Sequence, residues 1–154
     1  MQFKNTAFVA LLAAIPNIVN AAPTDATAHS LESRQQTKET VYLTNCGSTS
    51  EFSYYKSGHN SENRSPPDDR CKFTTGNNLP INWEFSFHKC TFGSGVSFET
   101  QLGGGVQPNE FIGTGIQRVP NKTPKTFDCF MDNGRILYRD GSVECKAIHW
   151  CNPR

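Results

Sequence analysis

The sequence predicts an all-β protein, a small disulfide-stabilised β-sandwich or barrel, with an α+β sandwich as the alternative. Three observations favour this fold class: short runs in which apolar and polar residues alternate, glycine-rich turns between them, and six cysteines. No segment has a convincing helical period. Short alternating strands separated by turns are typical of sandwiches and barrels.

About eight short strands are predicted along the chain. The clearest segment is residues 81–92, in which Ile81, Trp83, Phe85 and Phe87 alternate with polar residues. This period of two predicts a strand with one apolar and one polar face. The other candidate strands are residues 40–45, 51–56, 71–75, 96–102, 110–119, 126–131, 135–139 and 143–151.

Glycines mark the predicted turns. Residues 93–95 link two strands as a hairpin, and Asn133-Gly134 predicts a second hairpin because both residues tolerate a positive φ. Asp140-Gly141 is a further turn. Gly113 and Gly115 lie inside a predicted strand, where glycine indicates a bulge or a close approach of two backbones.

The first residues have the composition of a secretory signal peptide. An apolar run over residues 7–15 is followed by small residues that fit a cleavage site after Ala21. The run is shorter than the roughly 20 apolar residues that a membrane-spanning helix needs. Residues 22–34 form a polar propeptide or disordered spacer, and Arg34 matches a kexin-type processing site. One secreted domain, residues 35–154, is therefore expected.

This expected domain is nearly neutral, with 13 basic and 12 acidic residues. A general nucleic-acid binder should have a strong basic excess, and so should a polybasic membrane-surface protein. No later apolar segment is long enough to cross a bilayer. We therefore expect neither general nucleic-acid binding nor a membrane span.

An even number of cysteines behind a signal peptide predicts three disulfides. The cysteines are Cys46, Cys71, Cys90, Cys129, Cys145 and Cys151. Six cysteines allow 15 pairings. If residues 143–151 form one strand, Cys145 and Cys151 lie about 20 Å apart and must bond to other partners. The absence of a Cys-x-x-Cys pair and of clustered histidines argues against a metal site, and no cofactor motif is present.

The titratable residues also allow the hypothesis that the protein is an enzyme. Small fungal ribonucleases use a glutamate, histidines and an arginine around a phosphate, and the corresponding set here is Glu84, His59 or His149, and Arg118. His88 and Glu84 share a strand face, but four residues of strand separate them by about 13 Å. Both are therefore expected to face solvent without a direct hydrogen bond.

Two sequons make Asn63 and Asn121 candidate glycosylation sites in predicted loops. Each sequon is followed by a proline, which should make modification inefficient. The polar loop at residues 57–70 is the favoured contact surface, because binding residues are concentrated in loops on rigid scaffolds. Tyr54, Tyr55 and Trp150 are the aromatics most expected to be partly exposed.

The C-terminal third carries a family resemblance. Its distinctive residues run from Phe127 through Cys129 and the Asp132-Asn133-Gly134-Arg135 turn to Tyr138, Cys145 and Cys151. Together with a leader that ends in Leu-Glu-Ser-Arg, this pattern resembles small secreted cysteine-rich proteins of filamentous fungi, many of them candidate plant-infection effectors. The resemblance implies a secreted binder that acts on a host or competitor protein and carries over no catalytic residue.

The primary functional hypothesis is therefore a secreted, non-catalytic, effector-like binding protein. The alternatives are a small ribonuclease-like hydrolase and an antimicrobial or killer-type toxin. The expected location is extracellular, with later entry into host cells left open.

Overall fold

Nine strands form a single antiparallel sheet in the computed structural model, which describes residues 38–74 and 79–154. The sheet curls into a nearly closed barrel, so the predicted all-β class is confirmed. The strands are β1 (Thr40–Cys46), β2 (Thr49–Tyr55), β3 (Asp69–Phe73), β4 (Phe87–Thr91), β5 (Ser97–Leu102), β6 (Phe111–Arg118), β7 (Lys125–Met131), β8 (Ile136–Asp140) and β9 (Val143–Pro153). A 3-10 turn, Ser61–Asn63, lies in the loop between β2 and β3. Residues 1–34, with the predicted processing positions Ala21 and Arg34, lie outside the described residues.

The strand order is β3-β2-β1-β9-β7-β6-β5-β4, and β8 pairs separately with β9. Alternation along the strands sends one set of side chains into the barrel and the other set outward. The interior is aromatic, with Phe52 packed between Trp83 and Phe98 at ring-centroid distances of 5.6 and 5.3 Å. A second cluster lies outside the barrel, where β8 covers Tyr42, Tyr55 and Ala147.

The barrel is closed by a disulfide rather than by a hydrogen-bonded ladder. β3 and β4 are the two ends of the strand order, and Cys71 of β3 is bonded to Cys90 of β4. The backbone N–H of Ser94 also donates to Asp69 Oδ2 across this seam, at 3.1 Å. Unpaired strand edges are templates for association with other chains, so the Cys71–Cys90 bond protects the two edges that the sheet leaves open.

The other two disulfides join strands that are already paired. Cys46–Cys145 links β1 to β9, and Cys129–Cys151 links β7 to β9, with Cα–Cα distances of 4.1 and 4.0 Å. Three disulfides are thus present, as predicted. Cys145 and Cys151 do bond to other partners, as the length of the β9 strand required.

The predicted strand at residues 81–92 is shorter in the structure, and its apolar face is broken. Phe85 adopts a left-handed backbone with a φ of 58°, and only residues 87–91 form β4. This kink changes the alternation: Trp83 is buried, whereas Phe85 and Phe87 are 80% and 62% exposed. The prediction that these four apolar residues lie on one face of a single strand was therefore wrong.

The turn predictions divide into two groups. Residues 93–95 form the expected hairpin, with the Phe92 N–H donating to the Val96 carbonyl at 2.8 Å. Asn133-Gly134 does not form a hairpin, because β7 and β8 both pair with β9 instead of with each other.

The glycines inside β6 lie at a close approach and at a bulge, as predicted. A Cβ on Gly115 would lie 2.5 Å from Phe98 Cζ, and the ladder is irregular next to Gly113.

Removal of the seam disulfide should destabilise the fold and expose its edges. We expect Cys71→Ala/Cys90→Ala to lower the free energy of unfolding by about 2–4 kcal/mol and to promote self-association. Urea unfolding measures the first effect and light scattering across a concentration series measures the second.

The matched control is Cys46→Ala/Cys145→Ala, which removes a disulfide but leaves the seam closed. This variant should lose stability and stay monomeric. Equal association by the two variants would contradict the assignment of the Cys71–Cys90 bond as the barrel closure.

Candidate functional site at the barrel mouth

One end of the barrel opens into a cavity of about 590 Å³. β1, β3, β5 and β7 begin at this end, and β2, β4 and β6 finish there. The volume lies within the range of roughly 300–1,000 Å³ that is typical of small-molecule sites, and barrel mouths are a preferred place for them. The lining comprises Glu39, Tyr54, Asp68, Asp69, Phe92, Ser94, Val96, Gln117, Val119, Lys122, Thr123 and Lys125.

The inner wall of the cavity is apolar and aromatic. Phe92 is almost completely buried, and its ring centroid lies 6.1 Å from that of Tyr54. Val96, the residue before β5, packs against the same interior cluster. Because these side chains belong to the barrel core, the wall is held rigidly and offers an apolar surface to a molecule that enters the mouth.

The rim is polar and carries both signs of charge. Glu39 accepts a hydrogen bond from the Tyr54 hydroxyl at 2.9 Å and forms an ion pair with Lys125. Burial raises the pKa of Tyr54, and the neighbouring Glu39 carboxylate raises it further, so the phenol stays neutral and acts as a donor. Lys122 and Gln117 add donors at the same edge.

Asp69 fixes the opposite side of the mouth. Burial acts to raise the pKa of this carboxyl, but hydrogen bonds from Ser94, Gly93 and Arg70 outweigh it and lower the pKa. Asp69 is therefore ionised at neutral pH. Its bond to the Ser94 N–H ties β3 to the β4–β5 turn, so the same carboxylate shapes the mouth and supports the seam.

The predicted contact loop at residues 57–70 borders this mouth and is held by hydrogen bonds. His59 Nδ1 lies 2.6 Å from Asp68 Oδ2, and His59 Nε2 lies 2.6 Å from Ser65 Oγ. The Tyr55 hydroxyl donates to the Ser65 carbonyl at 2.8 Å. Burial opposes ionisation of Asp68, but hydrogen bonds from Lys56 and His59 lower its pKa. The loop is thus exposed at its tip and fixed at its base.

The residues of the predicted ribonuclease set do not form one site. Glu84 and His149 are brought together, with Oε1 and Nε2 3.0 Å apart. His59 instead contacts Asp68 and Ser65, and Arg118 donates two hydrogen bonds to Glu99, at 2.6 and 3.0 Å. The set is therefore divided among three separate networks.

His149 is also fully enclosed. Its side chain has no exposed surface, and among the described residues its ring nitrogens have no polar partner beyond the 3.0 Å contact of Nε2 with Glu84 Oε1. Burial lowers the pKa of His149, against the opposing influence of Glu84 and Asp132. A general acid or base must reach the proton it transfers, which the enclosed imidazole of His149 does not do.

The expectation that Glu84 simply faces solvent was wrong. The left-handed turn at Phe85 directs the Glu84 carboxylate toward His149, and the exposed fraction of its side chain is 27%. His88 does not contact Glu84, as expected, and its Nε2 instead lies 2.8 Å from the Asn82 carbonyl oxygen. Asn63 and Asn121 are exposed in loops, where both were predicted.

Two of the three aromatics expected to be partly exposed are half-buried in the structure. Tyr55 is fully buried under the β2–β3 loop, whereas Tyr54 is half-buried at the mouth. Trp150 is half-buried and stacks on Phe130 with ring centroids 4.5 Å apart. Sequence position next to a loop or terminus thus identified Tyr54 and Trp150 but not Tyr55, because the loop itself folds over Tyr55.

The fold and site define a nearly closed, disulfide-linked β-barrel with an open, amphipathic mouth. Comparison with protein-family models, with curated proteins and with solved structures found no match. Within residues 38–74 and 79–154, no group of three or more metal-ligating side chains is arranged to hold a metal ion. No helix among these residues is long and apolar enough to span a membrane.

The buried His149 should make stability depend on pH. Its pKa in the folded protein is lowered from the ordinary value of about 6.5, so below that pH the unfolded chain binds more protons than the folded one. The free energy of unfolding should therefore decrease as the pH falls from 7 to 5. Urea titrations at each pH measure this slope, and His149→Gln should flatten it.

The control for this experiment is His88→Gln, which leaves His149 in place and should keep the slope. A slope that His149→Gln leaves unchanged would contradict the assignment.

Proposed function

We propose that the protein is a secreted binding protein whose barrel mouth holds a small amphipathic ligand without converting it chemically. The observation that carries this proposal is the cavity of about 590 Å³. It combines a rigid aromatic wall with a polar rim, which is the usual composition of a small-molecule site: mostly apolar lining with a few placed polar groups.

The lining suggests the chemical class of the ligand. An aromatic wall formed by Tyr54 and Phe92 favours a flat apolar body. The rim carries ammonium groups at Lys122 and Lys125 and carboxylates at Glu39 and Asp69. Since these charges are of both signs, they suit an uncharged molecule with hydrogen-bonding groups at its edge better than a strongly charged one.

A secreted location is consistent with the covalent structure. Disulfides form and persist in oxidising compartments, and all six cysteines are paired in three disulfides. The sequence resemblance to fungal effector-like proteins suggests action on a host or competitor protein. The loop at residues 57–70 supports this part of the proposal, because Asp68 belongs both to the loop and to the cavity lining. A protein bound to the loop would thus lie next to the ligand.

The ribonuclease alternative has weaker support. One observation favours it, the contact between Glu84 and His149. The full enclosure of His149 and the distribution of the other members among separate networks argue against it. The ribonuclease alternative predicts that the purified protein cleaves RNA and that Glu84→Gln abolishes this cleavage.

Ligand binding in the mouth can be tested with the neutral fluorophore 1-aminoanthracene. We expect saturable binding with enhanced fluorescence, because the wall displaces water from the ring system. Val96→Trp should abolish binding by filling the mouth. The matched control is Val143→Trp, a substitution at an exposed position of β9 away from the mouth, and it should bind as the unchanged protein does. Equal titration curves for the two variants, both folded by circular dichroism, would contradict the proposal.

Action on a host or competitor is tested separately. Oxidised protein comprising residues 35–154 should cause a measurable response when infiltrated into leaves or added to competing microbes. The same protein, reduced and alkylated, should cause none, because its barrel is no longer closed. The absence of any response from the oxidised protein across hosts and microbes would contradict this part of the proposal without affecting the result for the fluorophore.

A further inference from the structure

The loop between β2 and β3 contains a serine, a histidine and an aspartate in one hydrogen-bonded series. Ser65 Oγ lies 2.6 Å from His59 Nε2, and His59 Nδ1 lies 2.6 Å from Asp68 Oδ2. This is the connectivity of a catalytic triad: a hydroxyl on one ring nitrogen and an orienting carboxylate on the other. Such constellations are recognised by geometry and not by sequence position.

The proton positions follow from the partners. The lowered pKa of Asp68 keeps its carboxylate ionised, so it accepts the proton that Nδ1 carries. In the neutral imidazole the other nitrogen, Nε2, then has a free lone pair. The Ser65 hydroxyl can donate to it at 2.6 Å, a shorter contact than the 3.2 Å to its other acceptor, the Asn60 carbonyl. This arrangement of partners matches the tautomer of a neutral imidazole that a general base requires.

Contacts with Tyr55 hold the hydrogen-bonded residues on their buried side, and their other side is accessible to solvent. The His59 ring lies edge-on to the buried Tyr55 ring at a centroid distance of 5.0 Å, and the Tyr55 hydroxyl holds the Ser65 carbonyl. The side chains of His59 and Asp68 are 21% and 22% exposed, and Ser65 is partly exposed. Unlike the enclosed His149, these groups can meet a molecule from solvent.

We propose that Ser65 is an activated nucleophile that reacts with esters carrying good leaving groups. Ser65 Oγ forms a bond to the carbonyl carbon while its proton passes to His59 Nε2, and Asp68 stabilises the imidazolium. The carbon–oxygen bond to the leaving group then breaks, and the proton on Nε2 goes to the departing oxygen. Water, deprotonated by the same nitrogen, then attacks the acyl-serine, and the proton on Nε2 returns to Ser65 Oγ as the acid is released. This activity is independent of the ligand proposed for the mouth.

The surroundings of Ser65 limit the substrates. Its own N–H donates to Asn63 Oδ1 at 3.0 Å, and Pro66 and Pro67 have no N–H to offer. The nearest cation in the sequence is Arg64, an exposed residue with a left-handed backbone and a φ of 61°. Loss of a single oxyanion donor costs other hydrolases about 10²–10³ in rate. We therefore expect reaction with aryl esters and fluorophosphonates, and none with amides.

The first test is covalent labelling of the oxidised, unglycosylated protein with a fluorophosphonate probe. Unglycosylated protein is used because Ser65 belongs to the Asn63 sequon. Ser65 Oγ should bond to phosphorus with loss of fluoride, giving one adduct that peptide mapping assigns to Ser65. Ser65→Ala should abolish labelling, and the matched control Ser48→Ala, which removes an exposed serine from the β1–β2 turn, should label normally.

Variants of the other two residues separate catalysis from loop structure. His59→Gln should slow labelling of the folded protein by about 10²-fold or more, the usual contribution of a general base. Asp68→Asn should also slow the reaction. A thermal unfolding curve should show that this variant is folded. A parallel assay follows the burst of p-nitrophenol from p-nitrophenyl acetate.

Two results would overturn the proposal. One is an absence of adduct at Ser65 in the folded protein, or adducts spread over lysines. The other is an equal labelling rate in folded His59→Gln, which would leave the three residues as a purely structural clamp on the loop. Labelling is read at Ser65, which is not among the residues that line the cavity, and ligand binding is read by fluorescence, so failure here is distinguishable from failure of the proposed mouth ligand.

Discussion

The structure depends on the pairing of β9 with three other strands. This 11-residue strand binds β1 along one edge and both β7 and β8 along the other. Two of the three disulfides also join it to β1 and β7. Because β9 connects the N-terminal strands to the C-terminal ones, the sheet can curl into a barrel only when it is in place. The mouth, the seam and the outer cluster beneath β8 all follow from this one strand.

The sequence predicted the strands well because alternation of apolar residues is a local property. The segment at residues 96–102 illustrates this: Val96, Phe98 and Leu102 face the same core, as their spacing required. The prediction for residues 81–92 was wrong because a single residue with a left-handed backbone, Phe85, interrupts the alternation of apolar and polar side chains. Non-glycine residues rarely adopt that conformation, so nothing in the composition indicates the kink.

The sites were harder to predict than the strands. Glu84 and His149 are far apart in the sequence, and only the folded chain places them side by side. The contacts among His59, Ser65 and Asp68 are local, and the polar loop containing them was identified. Their alignment, however, depends on Tyr55 folding beneath the loop, and Tyr55 was expected to be partly exposed. Asn133-Gly134 has the sequence of a hairpin, but long-range pairing with β9 overrides it.

The unequal burial of the three disulfides has a consequence for a protein that enters a reducing compartment. Cys129, Cys145 and Cys151 have no exposed surface and Cys46 very little, whereas Cys71 and Cys90 are only half-buried. Thiol–disulfide exchange requires access of the attacking thiolate to a sulfur. Glutathione would therefore reduce the Cys71–Cys90 disulfide first and leave the two disulfides to β9 intact. The barrel would open along one line, lose the Asp69 wall of its mouth and keep most of its sheet. Transfer from outside a cell to the cytosol would thus convert the nearly closed barrel into an open sheet with two unpaired edges.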